Sequence, residues 1–174
     1  MSGITLRSSR ARQDVDAVVA FHREVYRAEW DFDERFVAHV EAPLAAFARA
    51  GSARDRLWLA ELDGRLVGCI AIVAAAPGVG QLRWFLVAPD ARGAGLGRRL
   101  MAEALGFCRE QGHRSVILWT VNLLEDAARL YRAHGFRRVE RRPGAPWGVP
   151  LVEERYELAL DAPPGSPGGG EGHP

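Results

Sequence analysis

Apolar residues recur three and four apart from Asp14 to about Ala28, with Val15, Val18, Val19 and Val25 on one side and charges between them. That spacing predicts an amphipathic helix. Phe32 to Ala50 repeats the pattern with Phe36, Val37, Val40, Leu44 and Phe47, and Pro43 is expected to kink or divide it. The period then changes. Ile4–Arg7, Leu57–Leu62, Leu66–Ala74 and Gln81–Ala88 read as strands. Asp63-Gly64 between two of them is a strong hairpin signal, because both central positions of a type I′ turn need positive φ. Pro77–Gly80 makes a further turn. Leu96, Leu100, Met101, Ala104, Leu105 and Cys108 share one helical face between Gly95 and Glu110, and Gly112 stands where a C-terminal cap belongs. Val116–Val121 is a strand, Leu124–His134 a short helix stopped by Gly135, Phe136 the start of a strand, and Glu153–Leu160 the last one.

The predicted order is β-α-α-β-β-β-α-β-α-β-β. An antiparallel run followed by two strand–helix units implies an α/β fold: a mixed, mostly antiparallel sheet with helices on both faces. The expectation is a single domain over residues 1–160. Residues 161–174 are mostly Pro and Gly and read as a disordered tail.

Composition narrows the function. The chain has 174 residues, 48% hydrophobic, with a formal net charge of +1, so it carries no electrostatic footprint for nucleic acid. No apolar run approaches the roughly 20 residues that cross a bilayer, and Met1–Arg12 has no apolar signal region. Cys69 and Cys108 lie in apolar segments and read as buried free thiols. The expected location is cytoplasmic, with no metal site. Every basic residue is arginine, so no lysine can act as base or Schiff-base former.

The candidate chemistry starts at Arg92-Gly93-Ala94-Gly95-Leu96-Gly97-Arg98-Arg99, where a helix begins. The first N–H groups of a helix lack internal partners and carry partial positive charge. Small residues let an anion approach that backbone closely, and guanidinium adds bidentate contacts to phosphate. Glycine spacing alone also fits a flexible turn. There is no Gly-Lys-Ser/Thr, and the loop follows the fourth predicted strand, so neither a P-loop nor a dinucleotide fingerprint is matched.

Two motifs together resemble the GNAT family of acyl-CoA-dependent N-acyltransferases. Arg92-x-x-Gly95-x-Gly97 fits its Gln/Arg-x-x-Gly-x-Gly/Ala phosphate loop, preceded by Val87-Ala88-Pro89. Asn122 and then Ala128-Arg129-Leu130-Tyr131-Arg132-Ala133-His134-Gly135-Phe136 match the later strand and helix. The resemblance covers about Gly3 to Leu160. Leu82–Leu100 and Leu118–Phe136 are most similar to the acetyltransferase half of fusions with MarR-type regulators.

The resemblance implies acetyl-CoA as co-substrate and direct acetyl transfer to a small-molecule or peptide amine. It implies that the Phe85, Leu86 and Val87 backbone pairs with the pantetheine arm. The loop Arg92, Gly93, Ala94, Gly95, Leu96, Gly97 and Arg98 would hold the pyrophosphate. Tyr131 would protonate the departing thiolate. Asn122 would either bond the cofactor amides or cap the following helix, and Ala128 and Tyr131 complete the cofactor set. Many family members carry a glutamate on the strand before the loop; here it reads Gln81-Leu82-Arg83-Trp84-Phe85 and has no carboxylate. Candidate bases are Glu29, Asp31, Glu153, Glu154 or a water relay. Trp30 and Trp147 lie in loop-like segments and are expected to wall an acceptor pocket, with Trp84 and Trp119 packed in the core. His22, His39, His113 and His134 receive no role. Such domains often dimerise, so a homodimer is one expectation. The alternative reading is a non-catalytic acyl-CoA-binding or sensing module; a nucleotide site for ATP is a weaker third.

Overall fold

The strands are β1 (Thr5–Ser8), β2 (Arg56–Leu62), β3 (Arg65–Ala76), β4 (Val79–Val87), β5 (Ser115–Val121), β6 (Arg137–Gly144) and β7 (Leu151–Ala159). The helices are α1 (Arg12–Trp30) and α2 (Glu34–Ala50) after β1, α3 (Leu96–Glu110) after β4, and α4 (Glu125–Ala133) after β5. This computed structural model describes residues 3–160; the predicted tail, 161–174, lies outside them. The element order is the one the hydrophobic pattern predicts.

The strands form one seven-stranded sheet in the order β1-β2-β3-β4-β5-β7-β6. Only β4 and β5 pair in parallel. The β2–β3 turn is built as expected, with Asp63 at φ 51° and Gly64 at φ 76°. The β3–β4 turn is tighter than expected: Ala76 already pairs with Val79, so β4 starts two residues before Gln81.

α3 packs on one face, where Gly68 of β3 is flat against it. A Cβ at Gly68 would meet Leu96 and Leu100 side chains at 3.1 Å. The other face carries α1 and α2, seen in Phe47 of α2 stacking edge-on against Trp84. Val15, Val18, Leu44, Ile70, Leu100 and Leu118 are fully buried between these layers. Asp33 caps α2 by accepting from the Arg35 N–H at 3.0 Å, so only residues 31–33 separate α1 from α2.

Pro43 does not divide α2, which runs unbroken from Glu34 to Ala50. Proline takes away one amide donor, but Leu44 and Phe47 stay in the core on the same stripe as Phe36 and Val40. Burial of that stripe outweighs one lost helical hydrogen bond.

Candidate active site

β4 and β5 share register only from Val79–Gln81 against Ser115–Ile117. Beyond that, β5 stays with β7 through Val121 and β4 stays with β3 through Val87. The two strands splay. A bulge marks the point: between the Ala71↔Arg83 and Cys69↔Leu86 pairs, Trp84 and Phe85 face the single residue Ile70. Trp84 holds a φ of 50°, a conformation that costs a bulky residue about 1–3 kcal/mol. The Cys69 thiol donates to its carbonyl at 3.1 Å. A bulge bends its strand and adds twist, which turns the end of β4 away from β5. Ala88 N–H then donates to Val67 of β3, so by strand alternation the Phe85 and Val87 backbone faces the open side.

A cleft of about 770 Å³ lies on that open side, running from Phe85, Leu86 and Val87 to the start of α3. Gly95 is the N-cap of α3 at φ 83°, a conformation suited to glycine, and no side chain caps the helix. The first helical bond is Arg99 N–H to Gly95 O at 3.1 Å. The N–H groups of Leu96, Gly97 and Arg98 therefore stay open to the cleft, as an anion site requires. A Cβ at Gly97 would reach Leu130 at 3.2 Å and Phe85 at 3.5 Å, so this glycine keeps the passage between loop and α4 clear. Arg92 is already engaged: Nε donates to Val87 O at 3.1 Å, and Nη1 and Nη2 donate to Glu29 at 3.0 and 2.7 Å.

Nine expected cofactor contacts line this cleft: Phe85, Leu86, Val87, Arg92, Gly93, Gly95, Leu96, Gly97 and Arg98. Ala94 is exposed between them. Three others, Asn122, Ala128 and Tyr131, do not line it. Asn122 accepts from Val152 N–H at 2.8 Å through Oδ1 and donates its own N–H to Val152 O at 2.9 Å. It clamps the start of β7 and caps no helix; the N-cap of α4 is Leu124. Ala128 is buried on the inner face of α4.

A second cavity, about 430 Å³, meets the first at Tyr26, Phe85, Leu124 and Ala127. Tyr131 lines it from α4, packed against Phe85 and Tyr156 with ring centres 6.1 and 5.9 Å away. His39, Arg83, Trp147 and Glu153 line it from α2, β4, the β6–β7 loop and β7. Trp147 is set by its neighbour. Gly148 holds φ 85°, and a Cβ there would lie 2.8 Å from Asp33 Oδ2. Glycine thus lets the loop close on α2, where Trp147 O accepts from Asp33 N–H at 3.1 Å.

The tryptophans divide differently from the expectation. Trp147 walls the second cavity, but Trp30 lines the first. Trp119 is half-buried in the second cavity with the Arg142 guanidinium 4.8 Å over its ring, and Trp84 reaches the same cavity. Of these four, only Trp84 is buried in the core.

The four carboxylate candidates separate cleanly. Glu29 is tied to Arg92 in the first cleft. Asp31 is the exposed left-handed cap of α1. Glu154 is buried and paired with Arg138 at 2.8 Å. Glu153 alone reaches the second cavity. His39, given no role from sequence, stands at its mouth beside Trp147, ring centres 5.3 Å apart. Partial burial and the Arg83 charge lower its pKa, against an opposing pull from Glu153. It is neutral at pH 7. Burial raises the Tyr131 phenol above its ordinary value of 10. Tyr26, also unforeseen, borders both cavities. Among the described residues no three His, Cys, Asp or Glu side chains come together as a metal site, and no helix is long and apolar enough to cross a membrane.

The sequence profile of the Acetyltransferase (GNAT) family matches residues 17–136. The chain belongs to the GNAT family. An N-acetyltransferase of Schizosaccharomyces pombe, itself uncharacterised, is 30% identical over 142 residues, covering 80% of this chain and 86% of that protein. A mycothiol acetyltransferase of Cellulomonas flavigena is 38% identical over 112 residues, 54% of this chain but 32% of that longer protein. The GNAT chain likewise spans 51% of N-acetyltransferase family 8 member 2 of Rattus norvegicus, at 34% identity. Among solved structures, a GNAT acetyltransferase of Staphylococcus aureus superposes with a TM-score of 0.74 at 20% identity, over 91% of this chain and all of that one. yncA of Salmonella typhimurium, solved with its cofactor acetyl-CoA, gives 0.73 at 20%, over 92% and 95%. The finer resemblance to MarR fusions gains no support from these relatives.

Proposed function

We propose that this GNAT protein is an N-acetyltransferase that moves acetyl from acetyl-CoA to a primary amine by direct attack in a ternary complex. The observation that carries the reading is the splay. One opening joins an uncapped helix end, ready for phosphate, to a polar and aromatic cavity on the other side.

Acetyl-CoA supplies the activated acetyl thioester; the chain positions it, stabilises charge and moves protons. The N–H groups of Leu96–Arg98 would hold the pyrophosphate, aided by the positive end of α3. The open backbone of Phe85 and Val87 would hold the arm. A fixed N–H there, aimed at the thioester oxygen, stabilises the negative charge that develops on it. His39 would take the proton from the attacking ammonium, since its ring is neutral at pH 7 and its position at the mouth lets the proton pass to water. As the N–C bond forms and the C–S bond breaks, Tyr131 would give its phenolic proton to the sulfur and recover one from solvent. Its raised pKa keeps it protonated at any working pH, so it always presents a donor.

An acyl-enzyme is disfavoured. Cys69 and Cys108 are buried, and burial pushes the Cys108 thiol up to about 12. Neither offers a thiolate nucleophile near pH 7. The missing carboxylate on β4 favours a second reading, acyl-CoA binding without turnover; His39 and Glu153 in the acceptor cavity supply what that strand lacks. The test is thiol release from acetyl-CoA across a panel of amines, with products weighed by mass spectrometry. One CoA released per acetylated amine is expected. Tight acetyl-CoA binding with no transfer to any amine would favour the sensing reading.

A further inference from the structure

The acceptor cavity holds two charges that the protein leaves uncompensated. Arg83 projects from β4 into it and lies 4.8 Å over the Trp84 ring. Among the described residues no carboxylate comes within ion-pair distance of Arg83, and no cation comes within that distance of Glu153. The neighbouring Arg142 is different: it is paired with Glu140 at 3.2 Å. Arg83 is more than half buried and nothing but burial shifts it, which holds its pKa below that of a free guanidinium. Removing a guanidinium from water without an anion is unfavourable unless a ligand brings one.

The two charges are also separated. Arg83 is on β4 and Glu153 on β7, the strands that flank β5. His39 lines the same cavity as both, and their charges pull its titration in opposite senses. The rest of the wall is aromatic: Phe36, Trp119 and Trp147. A further polar group is unspent. Thr120 is nine-tenths buried, lines the same cavity, and its Oγ1 has no hydrogen-bond partner. A volume of about 430 Å³ falls within the range of small-molecule sites.

From these features we infer that the acceptor is a free amino acid with an aromatic or large apolar side chain, its carboxylate held by Arg83 and its amino group on the Glu153–His39 side. This rests on the transferase reading above. A zwitterion satisfies both open charges at once, and the side chain meets the aromatic wall. A simple arylalkylamine would leave Arg83 partly buried and unpaired. An internal peptide residue would present no carboxylate. An unsatisfied buried polar group in a site built for a partner is what produces large discrimination against the analogue that lacks it.

The test compares L-phenylalanine, L-phenylalaninamide and phenethylamine as acceptors for the full-length protein, following CoA release. In parallel, calorimetry measures binding of each compound to protein saturated with free CoA. L-phenylalanine is expected to exceed both carboxylate-free analogues at least tenfold in kcat/KM and in affinity. In Arg83→Met the preference should collapse to within about twofold, while acetyl-CoA affinity holds, which also reports that the variant is folded. Equal or better use of the analogues by the wild type would overturn the inference. So would acetyl-CoA binding without detectable binding of phenylalanine, tryptophan, leucine or methionine, or an equal loss for all three acceptors in Arg83→Met. Failure of the transferase reading looks different: amino acids bind, and no acceptor is acetylated.

Discussion

His22 should make this protein unusually sensitive to mild acid. It is 4% exposed on α1, stacked at 5.9 Å on Tyr26, one of the residues that border both cavities. Its Nδ1 lies 2.9 Å from the Val18 carbonyl. A carbonyl only accepts, so the native tautomer carries its proton on Nδ1. Burial lowers its pKa to about 4 from 6.5. The unfolded chain thus takes up a proton near pH 6.5, and the native protein does so only near 4. Stability from this group is complete above pH 6.5, declines as pH falls, and levels off below 4. By linkage the loss between pH 7 and pH 4.5 is on the order of 2–3 kcal/mol, a large share of the stability of about 5–15 kcal/mol typical of a domain. The assay is urea unfolding at both pH values for wild type and His22→Gln, whose amide can still donate to Val18. Gln does not titrate, so its pH-dependent loss should be smaller by on the order of 2–3 kcal/mol. Identical pH dependence in the two proteins would refute the reasoning.

Three further outcomes follow from the two-cavity geometry. Tyr131→Phe should lower kcat by on the order of 10²-fold, the lower end of general-acid contributions, with acetyl-CoA affinity unchanged; an equal loss in affinity would make Tyr131 a packing residue. Glu29→Gln removes a carboxylate from beside the phosphate loop and frees two Arg92 donors, so the CoA dissociation constant should fall several-fold and rise more steeply with salt; weaker binding would show that Glu29 serves to orient Arg92. Trp147→Ala should raise the acceptor KM without changing acetyl-CoA affinity, and Trp30→Ala should do the reverse; a shared phenotype would contradict their separation between the cavities.

Much of the fold is legible in local pattern, because each element announces itself within its own residues. The Asp63-Gly64 turn and the stripe of α3 are examples. The glycine loop is legible too, since it is contiguous from Arg92 to Gly97. What sequence hides is set by distant partners. The β4 bulge depends on how β3 pairs with Trp84 and Phe85, and the splay depends on β7 claiming β5. Asn122 is explained by Val152, thirty residues on. Trp30 and Trp147 both read as loop residues, yet Trp30 ends α1 and Trp147 lies in the β6–β7 loop, and they reach different cavities. One signal was available and decisive. Along Leu151–Ala159, Glu154 shares strand parity with the apolar Tyr156 and Leu158, and Glu153 does not. Period-two alternation therefore puts Glu154 on the face of Tyr156 and Leu158 and Glu153 on the other, where it lines the second cavity. His39 has a weaker counterpart, three residues beyond Phe36 on the same helix, but its cavity exists only once β4, β7 and the Gly148 loop converge.

The central claim is that the open end of α3 and the splayed β4 form an acetyl-CoA site. Calorimetric titration of wild type and Gly95→Asp with acetyl-CoA, free CoA and ATP tests it directly. The aspartate puts a carboxylate where the pyrophosphate would lie, at a position whose φ of 83° already suits glycine; a thermal melt checks that the variant stays folded. The account predicts micromolar binding of acetyl-CoA by the wild type, about −8 kcal/mol, lost in the folded variant and absent for ATP. No binding of either CoA species by the wild type would mean that the glycines form only a turn, and the transferase reading would fall with them.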